Sequence, residues 1–380
     1  MTDLTLSGAQ VLLPEGLADT RLCLADSVIA DAPAGREIDL RGFLILPGLV
    51  DIHGDGFERH MAPRRGALKE ARNGMLATEA ELAANGITTA VLAQFFSWEG
   101  GMRGPDFAEH VFEIVTDISR QVDTDLRLQL RLETHLLENF DRALRAIDRF
   151  GIRYVVFNDH LQHDRLATGR RPKRLTGQAL KSGRSPEDHF AYMIALHQKG
   201  VAVPAALDKL CAQLLARGIT LGSHDDHDAA TRTDWAGRGV MVSEFPETTE
   251  AAQAAKDSGA PVILGAPNVM RGGSHAGNVS ARDLVAMGLC DALASDYHYP
   301  ALRHAAWQLA EAGLCDLPTA WAMVSETPAR ILGLTDRGRI VPGLRADLVV
   351  LEQATGRVGA TFAGGRLTYL SGEAGRRFLL

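Results

Sequence analysis

The chain has 380 residues, of which 46% are hydrophobic, 23% charged and 6% aromatic, an ordinary globular make-up with room for two domains or for one large α/β barrel with an appendage. Its 40 Lys and Arg against 47 Asp and Glu leave a net charge of −7, which draws in neither nucleic acid nor an anionic membrane, so an anionic ligand has to be met by local basic groups. Cys23, Cys211, Cys290 and Cys315 are widely spaced with no Cys-x-x-Cys pair, which argues against a disulfide framework or a cysteine zinc site. The sequence has no apolar run near bilayer length and no signal-peptide order, so a cytoplasmic enzyme or binding protein is expected.

Residues 1 to about 45 alternate apolar and polar side chains with turn signals, as in Leu4-Thr5-Leu6 and Leu22-Cys23-Leu24, and read as short antiparallel strands. From Leu46 onward apolar runs alternate with Ala-rich helical segments. Eight strands are predicted: Leu49 to His53, Ile87 to Gln94, Leu126 to Glu133, Ile152 to Asn158, Ile219 to His224, Val240 to Phe245, Val262 to Ala266 and Leu289 to Asp296. Helices such as Leu76 to Ala84 and Ala205 to Ala216 stop before Asn85-Gly86 and Arg217-Gly218, where glycine supplies a left-handed cap. This is the arithmetic of a (β/α)8 TIM barrel spanning 46–335. A doubly wound sheet is the alternative, disfavoured because polar residues end strands throughout rather than at one switch point. After Thr335 the pattern turns strand-like again, so the two β-rich ends, 1–45 and 336–380, are expected to pair into one small composite β-domain. Arg165 to Arg184 carries seven basic residues and reads as a solvated face or a lid. It ends at Ser185-Pro186-Glu187-Asp188, a capped helix start.

The stretch Leu46-Pro-Gly-Leu-Val-Asp-Ile-His53-Gly-Asp55 is apolar up to its end. Residues two apart in a strand point the same way, so His53 and Asp55 project together from the strand terminus. An isolated His-x-Asp reads more readily as a turn beside a satisfied core histidine, but four more strands end similarly: Glu133, His160, His224 and Asp296 stand at or just past strand ends. In a barrel such positions converge on the carboxyl-end mouth. Imidazole with carboxylate suits one or two divalent ions, zinc or manganese or iron, and Glu133 could bridge two. Together the six point to a metallohydrolase. His135 competes with Glu133 for the same face. His60, His163, His227, His275 and His298 read as loop histidines, and His110, His189, His197 and His304, in helical stretches, receive no role. Two loops suit phosphate: Pro63-Arg64-Arg65-Gly66 and Arg271-Gly272-Gly273-Ser274-His275. Glycine lets backbone N–H groups approach closely, and arginine adds bidentate bonds.

The chain resembles the amidohydrolase superfamily, and within it the PhnM-type α-D-ribose 1-methylphosphonate 5-triphosphate diphosphatase family. The resemblance is carried by the His53 motif, Asn-Gly-Ile-Thr-Thr, Ser-His-Asp-Asp, Glu-Phe-Pro-Glu-Thr-Thr-Glu-Ala-Ala, Gly-Ala-Pro-Asn-Val-Met-Arg-Gly-Gly-Ser-His-Ala-Gly-Asn-Val, Ala-Ser-Asp-Tyr and Asp-Arg-Gly-Arg-Ile-Val-Pro-Gly-Leu-Arg-Ala-Asp-Leu-Val. It implies a barrel with a small composite β-domain and a metal centre of His53, Asp55, Glu133, His160, His224 and Asp296. It also implies water attack on a triphosphate, releasing diphosphate and leaving the 5-phosphate that a carbon–phosphorus lyase consumes. Asp296 is the expected general base, and Arg64, Arg271, Gly272, Gly273, Ser274 and His275 the expected contacts to a small phosphorylated substrate. A homo-oligomer, such as a dimer, is expected. Two departures stand out. The superfamily places its later histidines on the fifth and sixth strands, whereas the predicted strands put them on the fourth and fifth, so one strand boundary is expected to be misplaced. The segment after Asp55, Gly-Phe-Glu-Arg-His-Met-Ala-Pro-Arg-Arg-Gly, also differs from the form typical of well-known members. The rival readings are a hydrolase of C–N bonds, of deacetylase or D-aminoacylase type, and a metal-containing scaffold without turnover.

Overall fold

Apolar runs with no polar side to offer have to be covered on both faces, and eight of them form one parallel sheet. The strands are Leu49–Gly54, Ile87–Phe96, Asp125–Glu133, Tyr154–Asn158, Thr220–His224, Val242–Glu244, Val262–Gly265 and Ala292–Ala294, and they are ordered in the sheet as in the sequence. A bridge between Gly54 and Asp296 ties the last strand back to the first, giving the (β/α)8 barrel. This computed structural model describes residues 3–33, 35–62, 70–272 and 279–379. Arg64, Gly273, Ser274 and His275 lie outside the described residues.

All eight predicted strands are present, so the expected misplaced boundary is corrected. The fourth strand ends at Asn158 with His160 two residues beyond, the fifth ends on His224, and the sixth ends on Glu244. The two later histidines therefore stand by the fourth and fifth strands, as predicted, and the sixth strand presents a carboxylate. Asn85 caps the helix Ala71–Ala84, and Gly86 follows at φ 81°. The basic segment holds two short helices, His163–Ala167 and Leu175–Ser182. Ser185 then caps the helix Pro186–Gln198 by accepting from the Asp188 N–H at 3.0 Å.

The chain divides into two compact units. One comprises residues 1–92, 117–127 and 263–380. Within it Leu348–Glu352 pairs antiparallel with Phe43–Pro47, Ile45 opposite Val350, in a six-stranded sheet built from both ends of the chain. That sheet and a four-stranded sheet of Leu4–Ser7, Leu22–Ala25, Val28–Ala30 and Arg36–Asp39 bury a shared core that includes Leu6, Leu24, Ile38, Phe43, Leu348 and Phe362. Arg337 pins the rear of this unit, donating to Asp125 at 2.7 Å and to Thr89 at 2.8 Å. The other unit, residues 93–116 and 128–262, carries the fourth, fifth and sixth strands and the helices between them.

Candidate metal centre

In the first unit the end of the opening strand meets the turn just past the last one. The Asp55 N–H donates to the Asp296 carbonyl at 2.9 Å and the Asp296 N–H to the His53 carbonyl at 3.0 Å. These backbone bonds bring His53, Asp55 and Asp296 together, with one ligand atom of each within 4.8 Å of the others. Gly54 has to be glycine: a Cβ would lie 2.6 Å from Asp51 Oδ2 and 2.9 Å from Ser295 Oγ. Asp51 is itself locked by Ser295, whose N–H and Oγ donate to its two oxygens at 3.0 and 2.5 Å, while burial pushes its pKa up. Tyr299 lies fully buried alongside. Burial, reinforced by the Asp51 and Asp55 charges, raises its phenol well above the ordinary value, and its hydroxyl has no hydrogen-bond partner among the described residues. One nitrogen and two carboxylates in this arrangement fit a divalent ion.

In the second unit Glu133, fully buried, pairs with His160 Nδ1 through Oε1 and accepts from Trp98 Nε1 at 3.0 Å through Oε2. Burial works against protonation of His160, but the Glu133 carboxylate prevails and its pKa is raised. Arg131 Nη2 donates to His224 Nε2 at 2.9 Å, which puts the imidazole proton on Nδ1, facing Glu244 Oε2 at 3.2 Å. Glu244 is fully buried and its Oε1 accepts from Tyr154 Oη at 2.6 Å and Gln129 Nε2 at 2.7 Å. Burial and the Glu244 charge lift the Tyr154 pKa well above that of a free phenol, so Tyr154 is a standing donor. One pocket of this unit is lined by His135, Asp159, His160, His224 and Trp235.

His53, Asp55 and Asp296 thus form one group, and Glu133 with His160 a second. His224 stands in a network with Arg131 and Glu244. Arg271 closes the helix Ala266–Arg271, with Gly272 as its left-handed cap at φ 72°, and donates to Tyr297 Oη. Glu244 and Arg131 were not singled out from the sequence. The signal for Glu244 was positional: it pairs in register with His224 on the neighbouring strand.

A family model described as "Amidohydrolase family" matches residues 67–374. The α-D-ribose 1-methylphosphonate 5-triphosphate diphosphatase of Escherichia coli K12 is 33% identical over 326 residues, covering 83% of this chain and 85% of that protein. Among solved structures, an amidohydrolase superposes with a TM-score of 0.68 at 16% identity, covering 98% of this chain and all of that one. A triazine hydrolase variant gives 0.66 at 14% identity, covering 100% of this chain and 98% of that one. At these identities the two structures speak for the fold alone.

Proposed function

The chain belongs to the amidohydrolase family, and from that premise we propose that it is a metal-dependent phosphoanhydride hydrolase. Its substrate would be α-D-ribose 1-methylphosphonate 5-triphosphate, cut to the 5-phosphate and diphosphate in phosphonate catabolism. The observation carrying this reading is the convergence of His53, Asp55 and Asp296 in a chain 33% identical to a diphosphatase of that substrate over most of both lengths. The same reading assigns Glu133, His160 and His224, each at or just past a strand end, to the ion or ions as well. The firmest ligands are the first three, because His224 Nε2 is engaged by Arg131.

When bound, zinc, manganese or iron supplies Lewis-acid polarisation of a phosphoryl oxygen and eases deprotonation of water. This chain's residues do the rest. A carboxylate oxygen of Asp296 takes the proton of the attacking water as its oxygen bonds to phosphorus. The bridging P–O bond breaks and diphosphate leaves. Arg271, exposed at a helix end, meets charge on the phosphate chain together with Arg64, Gly272, Gly273, Ser274 and His275. The division into a 46–335 barrel and a β-domain of 1–45 plus 336–380 belongs to the same proposal, as do a cytoplasmic location and a homo-oligomeric, for instance dimeric, state. Among the described residues no helix is long and apolar enough to cross a membrane.

The test is purified protein, stripped with a chelator and reloaded with zinc or manganese, assayed against ribose and nucleoside 5-triphosphates and against N-acyl amino acids. Metal-dependent release of diphosphate is expected. Release of amine or carboxylate alone would assign C–N hydrolysis instead.

A further inference from the structure

A second set of donors lies in the second unit, on side chains other than the six assigned above. The Asp159 carboxylate is held by its own turn, Oδ1 accepting from the Leu161 N–H at 3.1 Å. Its Oδ2 is left to two imidazoles: His163 Nε2 lies 3.0 Å away and His135 Nδ1 3.5 Å away. His163 opens the helix His163–Ala167, four residues after Asp159, and the turn between them brings the two side chains together. His163 Nδ1 turns the other way, to His197 Nδ1 at 2.8 Å. The His135–His163 and His163–His197 ring centroids are 4.7 and 5.1 Å apart, so two imidazoles flank one carboxylate and a third packs behind His163. This is a donor set for a cation.

We propose that His135, Asp159 and His163 form a second divalent transition-metal site, sharing no ligand with the hydrolytic centre, with His197 orienting His163. The ligand atoms all lie within 4.8 Å of one another. Bonds of about 2.0–2.2 Å around one ion set its donors roughly 3.3–3.6 Å apart, close to the separations from Asp159 to either histidine. Two imidazoles and a carboxylate select zinc, cobalt or nickel over magnesium or calcium, which take oxygen ligands. The hydrogen bond between His163 Nδ1 and His197 Nδ1 holds the His163 ring in orientation and turns Nε2 toward Asp159. His135 is anchored on the barrel two residues past Glu133 and is buried, whereas the side chains of Asp159 and His163 are 39% and 36% exposed. An ion can therefore enter from solvent and keep positions open for water or an anionic oxygen. His135 and Asp159 also line the pocket that His160 and His224 line.

The test counts ions in the full-length protein. Wild type, an Asp159→Ala/His163→Ala double variant and a His110→Ala control are stripped and titrated with zinc against a chromophoric chelator, and cobalt(II) loading is followed by visible absorption. Wild type and control are expected to bind one more equivalent than the double variant and to show an additional set of cobalt bands. The difference reads this site alone, whatever the hydrolytic centre holds. Equal counts in all three overturn the proposal. If the double variant loses its circular-dichroism signal, His163→Gln serves for the same comparison. His197→Ala is expected to keep the count while weakening zinc at this site about 10–100-fold, and an unchanged affinity overturns the orienting role of His197.

Discussion

Glu244 gives the sharpest test of how the second unit is held together, because its Oε1 serves two buried neutral donors. Glu244→Ala strands the Tyr154 hydroxyl, 2.6 Å from Oε1 in a region closed to water, and takes from His224 Nδ1 its partner Oε2, 3.2 Å away. An orphaned buried donor costs about 1–3 kcal/mol, so the substitution should cost roughly 2–6 kcal/mol, the sum of two such penalties. Tyr154→Phe removes one charge-assisted bond and should cost about 1.5–3 kcal/mol alone. In the Glu244→Ala background the same change removes an orphan rather than a partner and should return about 1–3 kcal/mol. The double variant is thus expected to be no less stable than Glu244→Ala alone, a strongly negative coupling. Urea unfolding at neutral pH, followed by circular dichroism on the four proteins, measures the cycle. If Tyr154→Phe adds its full single-variant cost on top of Glu244→Ala, the residues are independent and the network assigned here is wrong.

Asp296→Asn is expected to lower kcat for diphosphate release by at least about 100-fold, as loss of a general base does, with circular dichroism unchanged; near-normal turnover removes Asp296 from that role. Gly54→Ala puts a Cβ 2.6 Å from Asp51 Oδ2 and should destabilise by about 1–3 kcal/mol through overpacking. Gly177→Ala, in an exposed helix interior with nothing within 4 Å, should stabilise by about 0.5–1 kcal/mol; equal shifts in thermal midpoint would contradict the packing argument. Burial works to raise the Glu81 pKa, but hydrogen bonds from His60 and Arg59 hold it below 4.5. A depressed folded-state value stabilises fully above the unfolded value and is lost as pH falls through the folded one. The advantage of wild type over Glu81→Gln, about 1 kcal/mol at pH 7, should therefore shrink on acidification below 4.5, as thermal midpoints at pH 7 and 3.5 would show.

The barrel was legible because strands buried on both faces have to be apolar throughout, and the glycines after helices had no other use. Helix starts were harder to place. Ala71–Ala84 begins before the predicted Leu76, since Ala-rich turns with a mid-helix Gly74 carry little apolar periodicity. The His53-Gly-Asp55 motif was legible because alternation in a strand is local geometry. The His135, Asp159, His163 and His197 cluster was not: His163 read as a loop histidine and His197 as a helical one, and only the packing of two helices against a strand end brings them together. Glu244 went unread for a related reason, since its value lies in cross-strand register with His224.

The backbone itself marks where these strands stop being scaffold. Asp225, Phe245 and Asp296, each just after the fifth, sixth or eighth strand, hold φ of 59°, 55° and 55°. Aspartate tolerates this left-handed conformation, but for phenylalanine it costs on the order of 1–3 kcal/mol. The ring of Phe245 lies edge-on to His224 with centroids 5.0 Å apart, so the strained residue packs against the imidazole that its neighbour Glu244 anchors. A strand continuing in β geometry would carry its next side chain onward with the sheet. Turning sharply at these residues instead stops the chain where His224, Glu244 and Asp296 are presented, which is why the polar residues cluster at the carboxyl ends and the apolar runs end there.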